Sequence, residues 1–162
     1  MGFETTAIRG VMNHYGPRTT NEKFGGQSST ANGIVKEAIW EFSYNDLPTF
    51  GTSNMQYVLP ANATIVSAKL VVDTAFTSTS TTTDLEVGLY TSAGVAIDAD
   101  GLLTAVNASQ TTIAVANSVI TGTGALVGVG IGATAGELKV TASAADLLTG
   151  AGRVVVEYIY NR

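Results

Sequence analysis

The chain contains no cysteine, a single histidine and only three prolines in 162 residues. Without thiols it forms no disulfide, runs no thiolate chemistry and builds no cysteine-ligated zinc or iron–sulfur centre. One imidazole, His14, excludes a two-histidine metal site within one chain. Charge is also scarce: 13% of residues are Asp, Glu, Lys or Arg, against about 25% in ordinary domains. Eight cations face thirteen acids, for a net charge of −5, whereas a phosphate backbone calls for clustered Lys and Arg. Nucleic acid is not an expected partner. No apolar run approaches the roughly 18 residues of a membrane helix. Met1-Gly2-Phe3-Glu4-Thr5-Thr6 lacks the basic start and apolar stretch of a secretory signal. The chain therefore reads as soluble, with no membrane partner. Gly2 followed by Thr6 fits the myristoylation pattern, but a pattern that loose usually arises by chance.

What is present instead is Thr, Ser, Asn, Val and Gly, a mixture suited to pleated strands joined by tight turns. Two regions differ in texture. Residues 1–33 hold Arg9, Arg18 and Lys23 against Glu4 and Glu22, with sparse apolar anchors and no sustained period. Gly16-Pro17 punctuates this segment, and Gly25 to Gly33 has linker composition. It reads as an extended N-terminal arm whose scattered aromatics need a partner surface. Residues 34–162 read as a β-sandwich. Ala38, Trp40 and Phe42 share a face opposite Val35, Glu37, Ile39 and Glu41. A short strand is expected at 55–59. In the clearest strand, Val66, Ala68, Leu70, Val72, Thr74 and Phe76 form the apolar face against Ile65, Ser67, Lys69, Val71, Asp73 and Ala75. Leu85, Val87 and Leu89 alternate next, followed by a strand at 95–97, a turn at 98–101 and one helical turn over 102–106. Further strands are expected near 111–115, 118–121, 125–131, 137–143 and 153–160. About eight strands at short spacing predict an all-β, jelly-roll-like antiparallel sandwich.

The chemistry-bearing patterns fail one by one. His14 sits beside Tyr15-Gly16-Pro17, with nothing to hold an imidazole for a catalytic triad. Asp98-Ala99-Asp100-Gly101 invites a calcium reading, yet the EF-hand alignment puts Ala96 and Asn107 where acids belong. A turn closed by Asx side chains is the simpler reading, with a weaker cation site left open. Gly128-Val129-Gly130-Ile131-Gly132-Ala133 fits the loose dinucleotide fingerprint, but a strand-like run, Glu137 to Thr141, follows in place of a helix. The acids Asp73, Asp84, Glu86, Asp98, Asp100, Glu137, Asp146 and Glu157 are spread thinly, and the lone Trp40 lies in a core strand. Asn62-Ala63-Thr64 and Asn107-Ala108-Ser109 match the glycosylation sequon by accident. No enzyme, cofactor or metal is expected.

The run from Leu59-Pro60 through Ile65-Val66-Ser67-Ala68-Lys69-Leu70-Val71-Val72-Asp73 to Phe76 resembles capsid cement or decoration proteins of tailed bacteriophages, particularly short-tailed ones. Asp84-Leu85-Glu86-Val87-Gly88-Leu89, Ala96-Ile97-Asp98-Ala99-Asp100-Gly101-Leu102 and Gly152-Arg153-Val154-Val155-Val156-Glu157-Tyr158 continue the likeness. The resemblance covers residues 34–162 and implies a jelly-roll-like domain on the outer surface of the virion capsid. Such a domain bridges neighbouring copies of the phage major capsid protein and pairs or trimerises with itself at symmetry axes. It implies no catalytic residue. The arm lies outside the resemblance. Its expected partner contacts are Phe3, Ile8, Arg9, Val11, Met12, His14, Tyr15, Arg18 and Phe24, the residues with most to gain from a covering surface. The competing reading is a tail or fibre module that binds a host receptor or glycan, with the Thr-rich loop 77–83 as its contact surface.

Overall fold

The computed structural model describes the backbone of three short segments near the N-terminus, and residues 35–47, 58–107 and 113–160 in full. The three segments are strands: β1 (Glu4–Thr6), β2 (Gly10–Tyr15) and β3 (Gly26–Ser29). They pair antiparallel with β2 in the middle, Thr5 opposite Val11 and His14 opposite Gln27. The segment expected as an extended arm thus hydrogen-bonds to itself, a pairing its irregular pattern does not announce.

The body is an all-β sandwich. Its strands are β4 (Val35–Ser43), β5 (Val58–Leu59), β6 (Ala63–Ser78), β7 (Asp84–Tyr90), β8 (Ala96–Asn107), β9 (Val119–Thr121), β10 (Gly136–Ala142) and β11 (Leu147–Tyr160). One antiparallel sheet has the order β4-β11-β6-β9 and the other β5-β10-β7-β8. Non-consecutive neighbours in both sheets fit a jelly-roll-like winding. Between the sheets, Ala38, Phe42, Leu70, Val72, Phe76, Val154 and Val156 face Leu85, Val87, Leu89, Leu138 and Val140, all buried. Trp40 stacks on Phe42 at 4.8 Å and Phe42 on Phe76 at 5.6 Å between ring centroids. This aromatic row lies at the end of β11 that carries Gly150 and Gly152, whose missing side chains leave room for Phe76.

Strand lengths and faces depart from simple alternation in six places. In β6, Ile65 is buried and Val66 is 41% exposed, the reverse of the expected pattern. Tyr158 of β11 pairs with Ile65 while Glu157 pairs with Ser67, so Val66 is the extra residue of a bulge. A second shift skips Asp73, between Gly152–Val72 and Ala151–Thr74, and leaves both Asp73 and Thr74 exposed.

The expected turn at 98–101 and helical turn at 102–106 are instead one strand, β8. It bulges against β7: Leu89 pairs with Asp98 and Val87 with Leu103. The bulge exists because Gly88 has no side chain. A Cβ there would stand 2.2 Å from the Ala99 carbonyl oxygen.

The expected strand at 125–131 is a pair of turns, with Val127 N–H donating to Gly124 O and Val129 N–H to Leu126 O, each at 3.1 Å. Gly128, at φ +84°, lets the chain double back so that its N–H reaches Ile65 O at 2.9 Å. Of the strand expected at 111–115, residues 111–112 lie outside the described residues, and 113–115 turn so that the buried Ile113 accepts from Phe76 N–H. Finally, β11 begins at Leu147, earlier than the expected 153, running straight through Gly150 and Gly152.

Candidate interaction surfaces

Of the arm residues expected to contact a partner, Val11, Met12, His14 and Tyr15 lie in the central strand β2. Phe3, Ile8, Arg9, Arg18 and Phe24 lie outside the described residues. The chemistry the body can offer is therefore read from the outer faces of its two sheets.

On the β5-β10-β7-β8 sheet, Asp84, Glu86, Asp98 and Asp100 gather along β7 and β8. The Glu86 carboxyl is pushed above its ordinary range, first by partial burial and then by the charges of Asp100 and Asp84. Asp98 is also pushed up, first by burial and next by a side-chain hydrogen bond with Asp100. Asp84 Oδ1 accepts from Asn107 Nδ2 at 3.0 Å. Among the described residues, no three acids or imidazoles converge to hold a metal ion. The segment 98–101 is accordingly a strand bulge with acidic side chains. Lys139 lies over the Tyr90 ring at 5.1 Å on the same sheet.

The Thr-rich loop 77–83 largely satisfies itself. Ser78 Oγ donates to the Asp146 carbonyl at 2.8 Å and lies 2.8 Å from Thr83 Oγ1, while Ser80 and Thr82 are joined at 2.8 Å. Thr77 is hydrogen-bonded to Thr149 at 2.7 Å. Hydroxyls engaged with one another form a braced loop, with less left to offer an incoming glycan.

The outer face of the β4-β11-β6-β9 sheet is different in kind. Cross-strand register places Ile39 beside Val155, and Val155 beside Lys69. One row along, Glu41 neighbours Arg153, which neighbours Val71, with Val119 beyond it on β9. In the other direction Glu37 sits directly opposite Glu157, and Val35 opposite Ile159. Val35 is 46% and Ile39 50% exposed, so β-branched side chains stand in water among carboxylates. Alternation put Val35, Glu37, Ile39 and Glu41 on one face, but the sequence did not mark that face as the outward one of an edge strand.

Two cations near this face are already engaged. Arg153 grips Asp73 with two nitrogens, Nη2 to Oδ1 at 2.8 Å and Nε to Oδ2 at 3.0 Å. The guanidinium holds its proton more tightly than usual, first through that hydrogen bond and then through the Asp73 charge. Lys36 lies over the Tyr160 ring at 5.7 Å. At the β4 end, Glu41, Ser43, Asp46, Asp73 and Arg153 line an open cleft of about 460 Å³. Ser43 N–H and Oγ both donate to Asp46 Oδ2, at 2.7 and 2.9 Å, which fixes the turn closing the strand.

No family model matches the chain, and no curated protein matches it by sequence. Solved structures do. A chain from the capsid of Ralstonia phage GP4 is 22% identical, with a TM-score of 0.60 over 82% of this chain and 88% of its own length. One from the cyanophage Pam1 capsid asymmetric unit is 20% identical, with a TM-score of 0.58 over 90% of this chain and 98% of its own. One from the acidic-stable capsid of Helicobacter pylori bacteriophage KHP30 is 16% identical, with a TM-score of 0.55 over 80% and 90%. At these identities the likeness is one of fold, and it runs nearly end to end: the chain shares its β-sandwich architecture with constituents of three phage capsids.

Proposed function

We propose that this protein is a structural component of a phage virion that binds the outer surface of the capsid and bridges neighbouring major capsid protein subunits, with no catalytic role. The observation that carries the reading is the near-complete mutual coverage with the Pam1 capsid chain, 90% of this chain and 98% of that one. A match of that extent pairs whole small sandwiches, where a shared module inside a larger protein would leave most of one chain unmatched. Charge agrees with an outward position: residues 34–162 carry eleven acids and five cations, a poor surface for facing packaged DNA. A clamp of this kind needs breadth more than depth, since shell symmetry multiplies each weak contact. The N-terminal 33 residues act as the arm, adding contact area when docked, and self-association as a dimer or trimer at symmetry axes completes the bridge.

The decisive experiment mixes purified protein with shells that lack it and images the result. Added density over the outer surface at the joints between subunits is expected, and it should be lost when residues 1–30 are deleted. Density on the tail, or none on the head, would overturn the reading in favour of a receptor-binding module.

A further inference from the structure

Among the described residues, β4 is one of the edge strands of the sandwich. β4 is the last strand of its sheet among the described residues, nine residues long, with hydrogen-bonding partners on the β11 side only. Edge strands invite pairing unless something prevents it. Here the full-length antiparallel pairing with a second copy would set Ile39 against Ile39, and so Glu37 against Glu41 twice. Like charges directly opposite are destabilising, so the strand repels its own copy in that register.

The same charges define what it accepts. Glu37 already faces Glu157 across the β4–β11 ladder, and Glu157 accepts a neutral hydroxyl, that of Ser67, at 2.7 Å. Of the cations close by, Lys36 lies over Tyr160 and Arg153 grips Asp73 while standing opposite Glu41, and Lys69, on β6, is two strands away beside Val155. An exposed row of Val35, Glu37, Ile39 and Glu41 therefore alternates aliphatic and acid, with a like charge, Glu157, opposite Glu37 and an already shared cation, Arg153, beside Glu41.

From this arrangement we propose that β4 is a strand-addition site for a basic, extended segment of a partner protein. The segment would present a cation opposite Glu37 and another opposite Glu41, with a β-branched residue between them over Ile39. Backbone ladder bonds supply the affinity and the alternating side chains the selectivity. This deepens the proposed function by naming the chemistry of the capsid segment it would grasp, and it rests on that reading only for the partner's identity.

The test uses the full chain and two synthetic peptides, one reading Lys-Thr-Val-Thr-Lys-Thr-Val and one with Glu in place of Lys. The Lys peptide should slow amide exchange along residues 35–43, and the Glu peptide should not. Glu37→Gln with Glu41→Gln should weaken the Lys peptide roughly three- to tenfold, as loss of two exposed ion pairs implies, and about 300 mM salt should do much the same. Glu37→Gln alone should leave thermal stability equal or slightly higher, because it removes the repulsion with Glu157, so weaker binding cannot be blamed on unfolding. Equal binding of the two peptides, or protection elsewhere in the chain, overturns the site. In parallel, shells are offered wild type and the Glu37→Lys, Glu41→Lys variant. If both bind equally, the strand-addition site falls and the capsid role stands. If wild type itself fails to bind, the capsid role falls and the peptide experiment alone decides the site.

Discussion

Gly150 shows how a single position can hold up an interface between elements. Its φ of +132° is one that side chains resist, and a Cβ would lie 2.0 Å from Phe76 Cδ1. Gly150→Ala combines backbone strain with overpacking, so a loss of about 3 kcal/mol or more is expected, read as a lower urea midpoint. The Arg153–Asp73 pair is a contrast: both side chains are 41% exposed, and Arg153→Gln should cost under about 1 kcal/mol despite the good geometry. Glu86 gives a pH prediction. Its folded pKa is raised by burial and then by Asp100 and Asp84, so the folded state binds this proton more readily than the unfolded chain does. For this group, stability is lost as pH rises from its ordinary value of 4.5 through the folded value, and regained on acidification. Glu86→Gln should therefore melt higher than wild type at about pH 7, with the gap closing near about pH 4. A constant gap across that range would remove Glu86 as the cause.

At the scale of the element, alternation was a sound guide wherever a strand was regular. Leu85, Val87 and Leu89 are all buried as the period of two requires. Ala38 and Phe42 are buried too, with Trp40 packed against them. It failed where a bulge changed the phase. Val66 was placed in the core and Ile65 outside, and the structure reverses them. Truncation tests the bulge: Ile65→Ala should cost about 2–4 kcal/mol through the cavity it leaves. Val66→Ala should stay within about 0.5 kcal/mol, as exposed positions do. Equal costs would mean no phase shift there. Glycine misled as well. Gly101 beside two aspartates reads locally as a turn, and the strand expected from 153 leaves out Gly150 and Gly152, yet all three lie within strands. Local preference gave way because Gly88 admits the β8 backbone and Phe76 fills the space over β11.

For the whole molecule, the asymmetry of charge matters most. The first 33 residues carry three cations and two acids, and the remainder five cations and eleven acids. Attachment that uses acidic sheet faces should weaken with ionic strength, since exposed charges are screened beyond about 10 Å at 0.1 M salt. Shell binding insensitive to salt would point to the apolar arm residues alone.

By itself the sequence determined the class of fold and the kind of chemistry to expect. Alternating apolar residues can bury one face only by pairing into sheets, and a chain with no thiol and one imidazole has few groups with which to build a reactive centre. The tertiary structure alone decided which of two adjacent residues points inward after a bulge, that residues 98–106 continue as a strand, and that Glu37, Ile39 and Glu41 stand on an edge strand of the described sheet, with Glu157 opposite Glu37. Those facts depend on which strand lies next to which, and strand order comes from contacts between residues far apart in the chain, which no local spacing encodes.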